Sequence, residues 1–253
     1  MYKRQTESHL YQYRHLGDAV NKTDNKVYNA NLDSLQTDGP TSGTFDDRWA
    51  FTNRNPYLNY GTAISLAAAA RSLKEYNPQL SMEASRVAQF IWKDEHSRPT
   101  PEKIEFGGRS FNSVDFMNSV ECRAAFELWR TVGDTVYKNR MQKLFPILLT
   151  QFDRNVSVVA RILPFMDNQI KKQVEPMVQA YVKQVTEQNK ENPFGVQISR
   201  FSWAGNHGIV QEAINAYQLH LLYPDIVKPD LIYRSLDYLF GCHPFHNLSF
   251  VSG

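Results

Sequence analysis

Carboxylates and imidazoles are the side chains of this sequence with the means to move protons or hold a metal, and their spacing limits what they can do. Asp46 and Asp47 are the only adjacent acidic pair in a candidate loop. Two carboxyl groups facing across a bond can act as general acid and general base, but adjacent side chains rarely converge on one target. The pair therefore reads as solvated or turn-forming, or as ordering its loop through a hydrogen bond to Arg48. His243 and His246 have Pro244 between them, so they cannot share a regular helix face, and no HExxH arrangement occurs. Each reads as a turn histidine. His207, beside Asn206, reads either as a cleft-facing group or as a surface donor at a helix start. Glu121 and Glu127 fall in a strong helical stretch, where glutamate is a good helix former and is expected to be solvated. Cys122 and Cys242 are the only cysteines and form no CxxC pair, which points to neither a zinc site nor a disulfide framework. No Gly-rich phosphate loop, Gly-x-Ser-x-Gly elbow or Cys/His nucleophile arrangement occurs. No catalytic residue, metal or cofactor is assigned from these motifs.

The elements that must position such groups are mostly helices in pairs. Residues 60–76 carry an Ala-rich helical pattern, with Ile64, Ala67, Ala68, Arg71 and Leu73. Asn77-Pro78 ends it and starts the next helix, since Asn caps and Pro suits a first turn. That second helix runs to about Lys93 and repeats Val87, Phe90 and Ile91. Residues 116–131 form another, with Val120, Ala124 and Leu128 on one face. Gly133-Asp134 is a C-cap glycine followed by an N-cap aspartate. Residues 156–166 with 169–189, and 204–223 with 231–240, complete four hairpins. Hairpins of this kind cannot bury their faces alone and need neighbours. They predict an all-α fold, an (α/α)6 barrel or six-hairpin toroid, incomplete with the four hairpins visible. The expected organisation is a single domain over residues 1–253, with 1–26 poorly ordered. The open lateral faces of such a toroid are expected along Ile209, Ala213, Ala216 and His220, or Leu66, Ala70 and Leu73.

Strand signals are sparse. Residues 24–59 resist helix and are much longer than a typical connection of ~4–6 residues. Their aromatics, Tyr28, Phe45, Trp49, Phe51 and Tyr57, argue for an ordered binding loop, since disordered segments are poor in aromatics.

The 253 residues include 28 basic and 26 acidic side chains for a net charge of +2, with the basic residues scattered. That leaves no electrostatic footprint for nucleic acid. No apolar run approaches the ~20 residues of a membrane span. The opening MYKRQTESHLYQYRHLGD lacks the apolar core of a signal peptide.

Two C-terminal segments carry a resemblance. Leu236 to Gly253 reads LDYLFGCHPFHNLSFVSG, and upstream lies Asn192-Pro193-Phe194-Gly195-Val196 followed by Trp203-Ala204-Gly205-Asn206. Together they resemble the family 9 glycoside hydrolases, the cellulase-type endoglucanases. There Asn-Pro-(Tyr/Phe)-Gly-Val precedes Trp-Gly-Ser-Asn, and a Leu-Asp-Tyr-(Leu/Ile)-Leu-Gly helix end runs through Asn-Pro into a Ser-aromatic-Val-(Ser/Thr)-Gly strand. Ala204-Gly205 replaces Gly-Ser and keeps both residues small. Weaker matches are Arg71, Lys74, Tyr76, Asn77 and Pro78, against an Arg-x-x-Lys-x-Tyr-(Asp/Asn)-Pro helix end, and Thr131-Val132-Gly133-Asp134 with Tyr137. The matches span about residues 27–253.

The resemblance implies a β-glucan partner (cellulose, xyloglucan or mixed-linkage glucan), an inverting acid/base mechanism and a secreted, periplasmic or cell-surface location. Inversion needs two carboxyl groups ~6.5–9.5 Å apart to admit a water. The family's Asp-Ala-Gly-Asp motif is absent, and its active-site His and Arg and its Glu are expected beyond Gly253, so the isolated chain is expected to be inactive. Trp203, whose indole offers an apolar face to a pyranose, is the first substrate-binding candidate, though it also reads as a core residue at a helix start. Asn206, His207, Trp49 and Tyr57 are secondary candidates. The alternative is a non-catalytic carbohydrate-binding or scaffold module on the same toroid.

Overall fold

The computed structural model describes residues 13–18, 24–51, 54–100, 103–106, 109–197 and 205–241. These form eight α-helices and seven short strands, within two compact units. The first unit comprises residues 1–62 and 91–117, the second residues 63–90 and 118–253.

In the first unit, β1 (Tyr13–Asp18) pairs antiparallel with β5 (Asp47–Phe51), so part of the stretch expected to lack order forms a strand. β2 (Val27–Tyr28) runs parallel to β4 (Thr41–Ser42), which pairs antiparallel with β3 (Thr37–Asp38). β6 (Lys103–Phe106) and β7 (Arg109–Asn112) form a hairpin. Two-residue strands have little ladder of their own, and carboxylates supply the rest. The Asp46 side chain accepts the Asp24 amide at 3.2 Å, and Asp47 accepts the Tyr28 amide at 2.6 Å. Ser42 donates to Asp24, which lowers that carboxyl below its usual range. The adjacent aspartates thus order the loop through backbone amides some twenty residues upstream.

Helices α1 (Pro56–Leu73), α2 (Pro78–His96) and α3 (Ser113–Val132) run from one unit into the other. The second unit adds α4 (Thr135–Leu149), α5 (Phe152–Ile162), α6 (Asn168–Asn189), α7 (Gly205–His220) and α8 (Asp230–Phe240), with a 3-10 turn at Leu163–Phe165. The punctuation read from sequence is present. Asn77 accepts the Leu80 amide at 3.1 Å, Gly133 takes φ +78°, and Asp134 caps α4 through the Val136 amide. Gly241, at φ +93°, closes α8 in the left-handed conformation that glycine adopts without Cβ strain.

Packing within the second unit follows the hairpin order. Thr131 on α3 donates to the Ala67 carbonyl of α1, Cys122 on α3 reaches the Met141 carbonyl of α4, and Phe126 packs on Phe165 after α5. Tyr181 on α6 meets Phe152 of α5 and Glu212 of α7. Helix α3 is buried on nearly every side from Glu121 to Leu128, as befits an inner helix. Burial also pushes the Cys122 thiol up to about 12, leaving it protonated and unreactive at neutral pH.

Three expectations are corrected here. Glu121 and Glu127 are buried, not solvated, because α3 offers no solvent face to them. Each carries a charge into the interior only because arginine follows it: Arg140 grips Glu121 with two 2.7 Å bonds, and Arg71 and Arg161 both reach Glu127. On α2, Phe90 faces solvent, and the buried seam runs through Ser81, Ala84, Ala88, Trp92 and Glu95. On α7, Ile209, Ala213 and Ala216 are buried. The open apolar face is instead Val210, Ile214, Tyr217 and Leu221, with Tyr233, Leu236 and Phe240 exposed on α8.

Candidate functional site

Among the described residues, one surface suited to a flat, partly apolar ligand lies in the first unit, at the start of α1. Asn55 caps this helix by accepting the Leu58 amide at 3.0 Å, and Pro56 takes the first helical position, where its missing N–H costs nothing. The next residue, Tyr57, is 45% exposed and stacks on Phe116, itself 50% exposed, with ring centroids 4.9 Å apart and planes 25° from parallel. Two open rings held against each other present a broad apolar face at low cost in side-chain entropy. Nothing in the sequence around Phe116 marks it as more than the start of a helix. One turn on, Tyr60 packs on Trp92, and Trp92 stacks on His96.

The same unit holds a buried acid that the sequence reading did not single out. Glu95 is 2% exposed and sits one turn after Trp92 on the buried seam of α2. Arg54 donates to it through two nitrogens, Asn59 donates to its other oxygen at 2.7 Å, and Arg54 also reaches the Pro99 carbonyl. With both oxygens engaged, Glu95 fastens the segment before α1 to the end of α2. Its role is that of a brace.

The other candidates are less gathered. Trp203 lies outside the described residues, as do Cys242, His243 and His246. Trp49 is on β5, opposite His15 of β1. Asn206 and His207 belong to the second unit, exposed on the first turn of α7. The described residues contain no cluster of three or more potential metal ligands and no helix long and apolar enough to cross a membrane.

The Asn-Pro-Phe-Gly motif builds a turn. Asn192 accepts the Phe194 amide at 3.1 Å and donates to the Val196 carbonyl at 2.7 Å. Gly195 takes φ +65°, and a Cβ there would come within 3.3 Å of Arg234 on α8. Phe194 packs edge-on against Tyr238 at 5.4 Å, so the turn docks on the helix carrying Leu-Asp-Tyr-Leu-Phe-Gly.

One acid of the second unit has its proton affinity raised. Glu212 on α7 is 4% exposed, and Tyr181 donates to its Oε2 at 2.5 Å while its Oε1 has no partner among the described residues. Burial lifts its pKa above the ordinary glutamate value of 4.5, against the lowering effect of the tyrosine bond. A carboxyl raised on folding stabilises the fold at pH values below 4.5, and that contribution declines as pH climbs toward the raised value. Glu212→Gln keeps an acceptor for Tyr181 without the ionisation. The variant should gain melting temperature relative to the parent as pH rises through this window; parallel melting curves against pH would refute the assignment.

Comparison with known proteins decides what this arrangement belongs to. Residues 3–253 match the model of Glycosyl hydrolase family 9. The chain belongs to glycosyl hydrolase family 9. Its fold is similar to a metagenome-derived family 9 endoglucanase, at 17% identity and a TM-score of 0.62, over 82% of this chain and 40% of that one. It is also similar to the cellulase Cel9M of C. cellulolyticum, at 15% identity and TM-score 0.60, over 85% of this chain and 51% of the other. A third likeness is to AaCel9A in complex with cellobiose-like isofagomine, at 15% identity and TM-score 0.56, covering 79% and 40%. No curated protein matches the sequence. The helices of this family 9 chain thus correspond to part of the family's (α/α)6 barrel, and the chain spans about 40–51% of these solved structures. Within that frame, the two most specific sequence motifs are the two that pack on each other through Phe194 and Tyr238.

Proposed function

We propose that the complete protein hydrolyses β-1,4-glucosidic bonds of plant glucans with inversion, and that residues 1–253 are an internal part of its single catalytic domain. The match to family 9 along residues 3–253 carries this reading. In it, Tyr57 and Phe116 form one sugar-stacking surface, with Trp203, Asn206, His207 and Trp49 as further substrate contacts. A polymeric substrate cannot cross a membrane, so the enzyme works outside the cytoplasm: secreted, periplasmic or on the cell surface.

The second reading is a carbohydrate-binding or scaffold module without hydrolysis. A hydrolase deprived of an acid or base loses about 10²–10⁴-fold in rate for each. The 253-residue polypeptide should therefore release no product from carboxymethylcellulose, while the complete enzyme does. Tyr57→Ala with Phe116→Ala in the complete enzyme should raise KM about tenfold, some 1.4 kcal/mol, with little change in melting temperature. A complete gene product that binds cello-oligosaccharides but never cleaves them would replace the first reading with the second.

A further inference from the structure

A cavity of about 810 Å³ opens in the second unit where the end of α1, the first half of α2 and the end of α3 meet. This is within the size range of small-ligand sites, about 300–1,000 Å³. Arg71, Lys74, Arg86 and Arg130 line it, and no acidic side chain does. Two of these cations are already paired: Arg71 with Glu127, and Arg86 with Glu83 through a two-bond fork. Lys74 and Arg130 have no ion-pair partner among the described residues. Arg130 is held in place by Phe165, over which its guanidinium lies at 4.0 Å.

Arg71 and Arg130 also line a neighbouring cavity of about 460 Å³ that adds Arg161 and the ring of Phe165. The one acid there, Glu127, is buried and already gripped by two arginines. The two cavities thus form one band of positive charge with an aromatic ring at one end. The chain as a whole is nearly balanced, at a net +2. Guanidinium forks match carboxylates in two-bond geometry, and a charge-assisted bond is roughly twice as strong as a neutral one.

We infer that this groove binds the carboxylates of an acidic glycan, a polysaccharide bearing uronic acids, with Lys74 and Arg130 as the anion contacts. The saccharide half of this assignment rests on the family reading; the anionic half does not. An extended nucleic acid would need basic residues continuing beyond the groove, and the near-zero net charge does not provide them.

Titration of the complete protein with trigalacturonate, cellotriose, inorganic phosphate and a single-stranded oligonucleotide tests this. Trigalacturonate should bind at low salt and lose at least about tenfold in affinity in Lys74→Met/Arg130→Met, as expected for two lost charge-assisted bonds. Lys74→Arg/Arg130→Lys should keep most of the affinity, which separates charge from packing. Equal binding by parent and methionine variant, or no binding, overturns the proposal. Phosphate competing at the same concentration reduces the groove to a general anion site and also overturns it, as would tighter binding of the oligonucleotide. Binding of trigalacturonate without cellotriose supports the groove while telling against the glucan-binding reading of Tyr57 and Phe116.

Discussion

Replacement of Glu127 by leucine should lower the free energy of unfolding by about 3 kcal/mol. That is the lower end of the range for removing one partner of a buried ion pair. Glu127 is fully buried, and its two oxygens are taken by Arg71 from α1 and Arg161 from α5. Leucine would fill much of the volume but leave Arg71 facing a hydrocarbon, with backbone carbonyls of residues 127 and 67, at 2.8 and 3.4 Å, and the Thr131 hydroxyl, at 2.7 Å, still to satisfy it. The effect stays at the low end because the arginines retain 29% and 42% side-chain exposure and can turn outward. Urea unfolding of the parent and variant measures it. A change below about 1 kcal/mol would place the cluster among surface ion pairs of small worth.

Gly43→Ala should act as strongly, for a steric reason. A methyl group at Gly43 would lie 1.9 Å from the Asp33 carbonyl oxygen and 2.7 Å from that of Leu32. Both are backbone atoms, so no side chain can swing aside. The turn must open, at the expense of the Gly43 amide bond to the Gln36 carbonyl at 3.0 Å and the pairing of β3 with β4. Overpacking of this kind typically costs about 1–3 kcal/mol. Limited proteolysis should show new cleavage between residues 29 and 43. An unchanged digestion pattern and melting temperature would mean the loop accommodates the methyl, contrary to its packing.

Features decided by a few consecutive residues were legible in the sequence. Asn77-Pro78, Gly133-Asp134 and Gly241 each set a boundary through local capping chemistry, and each stands where expected. What could not be read depends on partners far along the chain. A helical glutamate looks alike whether it faces water or an arginine on another helix, so Glu95, Glu121 and Glu127 gave no sign of burial. The buried seam of α2 passes through Ala84 and Ala88 because small residues allow close approach, while Phe90, the more apolar, points outward. Hydrophobicity alone chooses the wrong face there. On α7 apolar residues lie on two faces, and only the position of neighbouring helices says which is covered. In the candidate site, Tyr57 stands in the first turn of α1, at the end of the aromatic-rich stretch, while its stacking partner Phe116 comes from a separate segment that no local pattern links to it.

The open face of α7 has a definite pitch. Within the helix, Val210, Ile214 and Tyr217 step by four and three residues, and on α8 Tyr233, Leu236 and Phe240 step by three and four. Each set covers two turns in seven residues, about 3.5 per turn, which is the spacing of a coiled-coil seam and slightly tighter than the 3.6 of an ideal helix. A partner helix that kept to either stripe would therefore wind left-handed about it instead of lying straight.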